Sequence, residues 1–412
     1  MLDKLVLHLF VKSKYVDFYD LHTDKPIPYF DLNKLPAEIP TVGDIYKTEE
    51  NGVILKTLEN EKTKYESLAS SHSGMAFKFF HNGRNCDPYV ELKCSPAKLL
   101  QGHNLYGFDD IQLAAQNMIA LLSVAYPVFY KMLNLTNIQV SEIDINYSVF
   151  IADPQAKKMF MDHLRYVSNG QTKSRDSNYS TTSYFGAKNS RIKKLKVYSK
   201  IEEMENDAVK MEKQGFLESA KIIREEALTD RAKQAVRFEA TIKKRFLQKR
   251  GIPTDLIGLC RYMREKDEAY KLLFNEAWKD IFKALEGHTM KLVDNDSVYN
   301  AIKSEFQTVT KTGRVSLVKV NRLFSFYQTL KTFGYDHAST LSTRVMFYYN
   351  VTDLIKCGFS KSFLQNLHKD SGAVVIQMSK YITIDFDNQV PDGYQIPKNL
   401  DFEGYGRIVS IC

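Results

Sequence analysis

The sequence predicts an α+β protein, because short alternating strands dominate to about residue 250, helical periodicity dominates beyond it, and no internal repeat links the two. At 412 residues the chain is longer than one hydrophobic core usually supports, so two or three domains are expected. Its composition, 44% hydrophobic and 12% aromatic with 11 prolines, leaves little room for long disorder. The expected division is a domain at 1–250 around a central sheet and a helix-rich domain at 251–412.

Residues 1–11 alternate as a strand does and lack the basic start, long apolar core and cleavage site of a signal peptide. Residues 74–80 and 89–94 alternate likewise, with the turn-rich 81–85 between them. Pro96, with Ser95 as a cap, opens a short helix. Asp109 and Asp110 start a helical pattern through Leu113, Met118 and Leu122 to about Leu133. A strand over 138–150 and a helix over 153–166 follow. Residues 167–190, rich in Ser, Asn, Gly and Thr, read as a long polar loop of a kind that is more often functional than accidental. Strands over 194–199 and 236–242 flank a charged helical stretch at 201–233. Past Pro253 the pattern is mostly helical through Trp278 and Leu285, with a possible strand at 315–320 and a helix opening at 342–346. Residues 374–377 and 381–385 read as closing strands.

No apolar run approaches the roughly 20 residues that cross a bilayer, which points to a cytoplasmic chain with no membrane partner. Five cysteines (Cys86, Cys94, Cys260, Cys357, Cys412) are scattered without a C-x-x-C, so neither a disulfide framework nor a zinc site is expected. Basic residues number 57 against 49 acidic, a net charge of +8 that alone says little about partners. Its distribution says more. Arg165, Lys173, Arg175, Lys188, Arg191, Lys193, Lys194, Lys196 and Lys200 face a single acid, Asp176, and Lys243, Lys244, Arg245, Lys249 and Arg250 stand together. Such clusters are either solvated surface or a phosphate-binding face.

Alternation places residues two apart on one face of a strand. By that rule Tyr89, Glu91 and Lys93 share a face, as do Glu142, Asp144 and Asn146, then Arg237, Glu239 and Thr241, then Lys194, Lys196, Tyr198 and Lys200. One such strand is ordinarily an amphipathic strand with a wet face; four in one sheet bring carboxylates, a tyrosine and lysines together. Paired carboxylates are hard ligands suited to Mg²⁺ or Mn²⁺, ions that polarise phosphoryl oxygens. A tyrosine is a poor nucleophile near its free pKa of about 10, and ammonium groups such as Lys196 and Lys200 on the same face favour its phenolate. Attack on DNA leaves a phosphotyrosine that stores the phosphodiester bond for rejoining. No nucleotide-binding loop, dinucleotide fingerprint, H-E-x-x-H or G-x-S-x-G occurs. His103 reads first as a structural histidine, and Lys98 as a helix residue within reach of a phosphate.

Several stretches resemble the replication initiators encoded by gene II of filamentous bacteriophages: His72-Ser73-Gly74-Met75-Ala76-Phe77-Lys78, the run from Tyr89 to Cys94 continuing Ser95-Pro96-Ala97-Lys98-Leu99-Leu100-Gln101-Gly102-His103-Asn104, residues 163–174, Val236-Arg237-Phe238-Glu239-Ala240 and Lys283-Ala284-Leu285-Glu286-Gly287. Length and motif order fit over nearly the whole chain. More distantly, Ile143-Asp144-Ile145, Val197-Tyr198-Ser199-Lys200 and Arg237-Phe238-Glu239 are similar to motifs of plasmid rolling-circle initiators.

The resemblance implies an antiparallel-sheet nuclease core of rolling-circle initiator type. It implies an enzyme that nicks the plus-strand origin in double-stranded phage DNA and later cuts and circularises the displaced single strand, with host helicase and DNA polymerase as partners. It implies Tyr198 as nucleophile and Asp144 and Glu239 as ligands of Mg²⁺ or Mn²⁺; by strand geometry alone Lys200 assists the tyrosine and Glu91 is a third ligand. The His-hydrophobic-His metal motif of many rolling-circle nucleases is absent, so carboxylates would have to serve. Tyr184 and Tyr179 are rival nucleophiles in the same basic region. The residues expected to touch DNA are Lys98, His103, Lys173, Lys193, Lys194, Lys196 and Arg237. The family also uses an internal start, for which Met290 is the equivalent here. The expected setting is the host bacterial cytoplasm, with oligomers possible on DNA. Two other readings stand beside this one, an origin-binding protein or repressor without chemistry, and a metal nuclease that uses water in place of tyrosine.

Overall fold

A computed structural model describes residues 1–19, 26–50, 53–63, 66–70, 72–82, 86–152, 154–164, 174–175, 182–285, 295–309, 314–357, 359, 361–369 and 384–400. Its centre is a sheet of nine strands: β1 (Leu2–Val11), β2 (Glu66–Ala69), β3 (Gly74–Phe80), β4 (Tyr89–Cys94), β5 (Leu133–Phe150), β6 (Ser174–Arg175), β7 (Thr182–Phe185), β8 (Lys193–Ser199) and β9 (Ala235–Lys243). They lie in the order β6-β7-β8-β9-β5-β1-β4-β3-β2, every neighbouring pair antiparallel, which agrees with the expected α+β class. The strands expected from alternation up to residue 250 thus fall in one sheet.

One face is apolar. Leu5, Leu7, Ile143, Ile145, Val197, Phe238 and Ala240 are buried there against α1 (Ile111–Ala125), α2 (Leu256–Glu265) and α3 (Ala269–Leu285). Trp278 anchors that layer, stacked on Phe282 and edge-on to Phe238 and Phe185. Truncating an aromatic so fully enclosed typically costs about 3–5 kcal/mol. Because α2 and α3 belong to this core, the first body runs past residue 250 to Ile281, and a second core begins at Val298 and ends at Leu367. Packing therefore divides the chain later than the composition shift does. Met290 lies outside the described residues.

Several expectations shift by local chemistry. The helix expected to reach Leu133 stops at Ala125, because Tyr126 precedes Pro127 and is held out of the helical region at φ −135°, ψ 68°. The charged stretch 201–233 is three helices, α4 (Lys200–Lys213), α5 (Leu217–Ile223) and α6 (Glu226–Gln234), broken first at Gly215, whose φ of 86° favours glycine. The expected strand at 315–320 is cut to Val315–Ser316, with a helix from Val318 to Phe333 taking the rest. Part of the polar loop is strand, β6 and β7, at the sheet's edge. Ile384 and Asp385 are irregular, and 374–377 and 381–383 lie outside the described residues.

Candidate active site

Antiparallel pairing sets directly opposed residues on one face, so the register writes out the site. One row across the polar face reads Lys4, Asp144, Thr241, Lys194; the next reads Asn146, Glu239, Lys196, Tyr184; the third reads Ser148, Arg237, Tyr198, Thr182. A cleft of about 1460 Å³ opens on this face. Of the residues expected to act, Glu91, Lys98, Asp144, Tyr184, Lys194, Lys196, Tyr198 and Glu239 line it.

At its centre three groups meet. The Tyr198 hydroxyl donates to Glu239 Oε2 at 3.3 Å, and Lys196 Nζ reaches the same oxygen at 2.9 Å while lying 4.7 Å over the Tyr198 ring. Burial, then the nearby Asp144 and Asp3 carboxylates, push Glu239 up to about 8 despite Lys196. Lys196 is pulled down by its own burial, but Glu239 outweighs this and holds it above the ordinary lysine range. Tyr198 is only 5% exposed, and burial, reinforced by Glu203 and Glu239, raises its hydroxyl well above 10. The expected phenolate is thus replaced by a neutral phenol whose proton points at a carboxylate.

Asp144 lies beside this group, with Oδ2 2.9 Å from Lys4 Nζ and Oδ1 buried without a hydrogen-bond partner. Lys4 also binds Glu142 at 2.5 Å. A bulge supplies a further acid: the pairing moves from Leu2↔Ile145 to Lys4↔Asp144, so Asp3 is the extra residue and both Asp3 and Lys4 line the cleft, although simple alternation would separate them. Burial alone would raise Asp3, yet Arg237 and Lys200 hold it below the usual carboxylate range. Asp3 Oδ1 accepts from Asn104 Nδ2 at 2.8 Å.

Among the described residues no group of three His, Cys, Asp or Glu side chains is placed to hold a metal ion. Glu91 shares the cleft, but its Oε2 is turned to His8 Nε2 at 3.3 Å. The donors that do come together, an orphaned Asp144 oxygen and a raised Glu239, fit an ion such as Mg²⁺, which takes one or two carboxylates and completes its shell with water and phosphate.

Other expected residues lie elsewhere. Lys200 does not continue the strand face: β8 ends at Ser199, and Lys200 opens α4, fully buried, donating to Asn104 Oδ1 at 2.7 Å and pairing with Glu203. Burial, with repulsion from Arg237, lowers Lys200 to about 8, while Lys200 and Lys98 overcome burial to hold Glu203 well below the carboxylate range. Arg237 is buried under the 102–106 loop, its guanidinium donating to the Asn104 carbonyl at 2.5 Å and to that of Leu105, so it braces the site instead of meeting DNA. His103 is buried behind the cleft and lowered by burial to about 4, hence uncharged near neutrality and no partner for a phosphate. Lys193 points to the opposite face, where its Nζ donates to the Ala277 carbonyl at 2.6 Å. Lys98 faces the cleft but is engaged by Asp207 and, at 3.5 Å, by Glu203. Lys93, Lys188 and Lys194 are exposed along the rim. Lys173 and Tyr179 lie outside the described residues. Asp3, Lys4, Asn104 and Glu203 were not found from sequence; only Glu203, in the first turn of a helix that follows the tyrosine strand, left a spacing signal.

The fold and cleft define a class: an α+β protein whose antiparallel sheet carries clustered carboxylates and a buried tyrosine beneath a lysine rim. The family model for the N-terminal part of the phage replication-associated protein of gene II matches residues 1–266, and that for its C-terminal part matches residues 309–400. The gene II replication-associated protein of Enterobacteria phage M13 is 32% identical over 96% of each chain, that of Enterobacteria phage fd 31% over 96%, and that of Salmonella phage IKe 33% over 84%. The chain belongs to this gene II replication-associated protein family and is a bacteriophage DNA replication protein. No solved structure matches it. Among the described residues no helix is long and apolar enough to cross a membrane.

Proposed function

We propose that the protein initiates rolling-circle replication by nicking the plus strand of phage DNA at its origin through Tyr198, and later cuts and rejoins the displaced strand. The observation that carries this reading is the convergence of Tyr198 Oη and Lys196 Nζ on Glu239 Oε2, with Asp144 on the adjacent strand in the same cleft. The cleft exceeds the roughly 300–1,000 Å³ of small-molecule pockets, which suits an extended polymer. Its exposed lysines supply the sequence-independent attraction to phosphates.

In the forward step, with the Glu239 carboxyl ionised, the phenolic oxygen of Tyr198 attacks the scissile phosphorus as its proton passes along the existing bond to that carboxylate. The phosphorus–O3′ bond breaks, and the departing 3′ oxygen takes up a proton from solvent water to leave a hydroxyl that primes synthesis. The 5′ phosphate stays on Tyr198 until a 3′ hydroxyl attacks it, reforms the phosphodiester and returns the phenol. Asp144 and Glu239 would hold Mg²⁺ or Mn²⁺, whose chemistry is to polarise a phosphoryl oxygen and offset the charge that develops on it. Lys196 would remain beside that oxygen as a donor, and Lys194 and Lys188 would track the backbone. Recruitment of the host helicase and polymerase, and any assembly on the origin, belong to the same reading. Tyr184, 37% exposed and opposite Lys196, is the rival nucleophile.

The direct test is nicking of an origin-bearing supercoiled plasmid in Mg²⁺. Tyr198→Phe is expected to abolish nicking and keep origin binding, whereas Tyr184→Phe nicks normally. Full nicking by Tyr198→Phe sinks the assignment.

A further inference from the structure

Residues 384–400 return from beyond the second core and lie across the first body. Ile384 enters the first core, and Phe386 packs edge-on to Tyr147 at 4.7 Å. The Asn388 carbonyl accepts from Arg231 at 3.2 Å, the Tyr394 hydroxyl donates to Gln101 Oε1 at 2.9 Å, and Asn399 Oδ1 accepts from Asn117 at 2.9 Å. These contacts bind a strap to the catalytic body.

One contact reaches the backbone edge of the sheet. The pairing of β1 with β5 ends at Leu2↔Ile145, and among the described residues no strand pairs with that edge of β5 beyond it. Met1 covers Asn146, accepting its N–H at 3.0 Å. The next residue on that edge is Ser148, and the Gln389 carboxamide closes both of its backbone groups: Oε1 accepts the Ser148 N–H at 2.7 Å, and Nε2 donates to the Ser148 carbonyl at 3.0 Å. Nε2 also donates to the Asp385 carbonyl at 2.5 Å, which ties the clamp to its own turn. A side-chain amide thus serves as one rung of a missing strand.

The location is specific. Ser148 opposes Arg237, and Arg237 opposes Tyr198. Gln389 therefore holds the outer end of the row that carries the tyrosine, whose oxygen needs placement within about 0.5 Å for chemistry. We propose that Gln389 is a positioning residue, holding the Ser148–Arg237–Tyr198 row in register from outside the sheet. It rests on the nicking reading above, because only that reading makes the placement of Tyr198 count.

The test uses the full chain and a labelled single-stranded origin oligonucleotide, measuring the single-turnover rate of covalent adduct formation beside the Kd from anisotropy. Gln389→Met keeps the side chain's length and removes both bonds; Gln389→Glu keeps the acceptor and sets a carboxylate against the Ser148 carbonyl. Both are expected to slow adduct formation about tenfold with Kd within twofold of the unmutated chain, at a temperature where all are folded by circular dichroism. Tyr394→Phe, which loosens the strap without touching the sheet, is expected to keep the full rate. Adduct formation at the full rate in Gln389→Met overturns the proposal, as does a parallel loss of binding and rate. Absence of adduct from the unmutated chain overturns the nicking reading itself.

Discussion

The Tyr198 hydroxyl donates a hydrogen bond to Glu239 Oε2 at 3.3 Å, across neighbouring strands whose register leaves the two side chains diagonal on one face. On the nicking reading, a nucleophile and its proton acceptor are thereby paired before any substrate arrives, and both are buried. A positioned acceptor typically contributes about 10²–10⁴-fold. Glu239→Gln is therefore expected to slow strand cleavage at least a hundredfold while origin binding changes less than threefold, measured by single-turnover cleavage and filter binding. Cleavage within threefold of the unmutated rate would remove Glu239 from the reaction.

The raised Glu239 also makes stability depend on pH. The folded group titrates near 8 and the unfolded one near the ordinary 4.5. Between these values the folded state binds a proton that the unfolded state has lost, so stability falls as pH rises through this window. Without added metal, the melting temperature is expected to fall between pH 5 and pH 8 more steeply in the unmutated chain than in Glu239→Gln. Equal slopes in thermal melts at the two ends of the window would contradict this.

A cation bound by Asp144 and Glu239 binds the folded state alone, so it stabilises by about 2.7 kcal/mol at a hundredfold excess over its Kd. Mg²⁺ is expected to raise the melting temperature at pH 8 in the unmutated chain, and the rise is expected to vanish in Asp144→Asn. An equal rise in both chains would place the ion elsewhere.

Arg237 and Lys194 separate bracing from binding. Arg237 is enclosed with its guanidinium on two backbone carbonyls and beside the buried Asp3 carboxylate, so Arg237→Ala strands a buried charge and is expected to cost about 3–5 kcal/mol in urea unfolding. Lys194 stands exposed on the rim, and Lys194→Ala is expected to leave unfolding unchanged and to lower the slope of log Kobs against log salt by about 0.7 on single-stranded DNA. A reversal of these two outcomes would mean that the cleft is not the DNA path.

Period-two alternation carried most of the site. It placed Glu91, Asp144, Tyr198 and Glu239 on polar faces, and antiparallel pairing of those strands put all four in one cleft. Alternation fails where the backbone stops being regular, as at Asp3, turned into the cleft by a bulge, and at Lys200, one residue past the end of its strand. It is also silent on what roofs a face, which is why Arg237, enclosed beneath the 102–106 loop, was expected to touch DNA. The strap could not be read at all, since Gln389 meets Ser148 across 241 residues and leaves no local pattern.

The measurement that reaches the central claim most directly is identification of the covalently linked peptide. The full chain is incubated with a labelled single-stranded origin oligonucleotide in Mg²⁺, denatured and digested with trypsin, and the DNA-bearing peptide is sequenced by mass spectrometry. The expected result is a nucleotide adduct on Tyr198, in the tryptic peptide that ends at Lys200. A modified Tyr184, or cleaved DNA with a free 5′ phosphate and no modified peptide, contradicts the account.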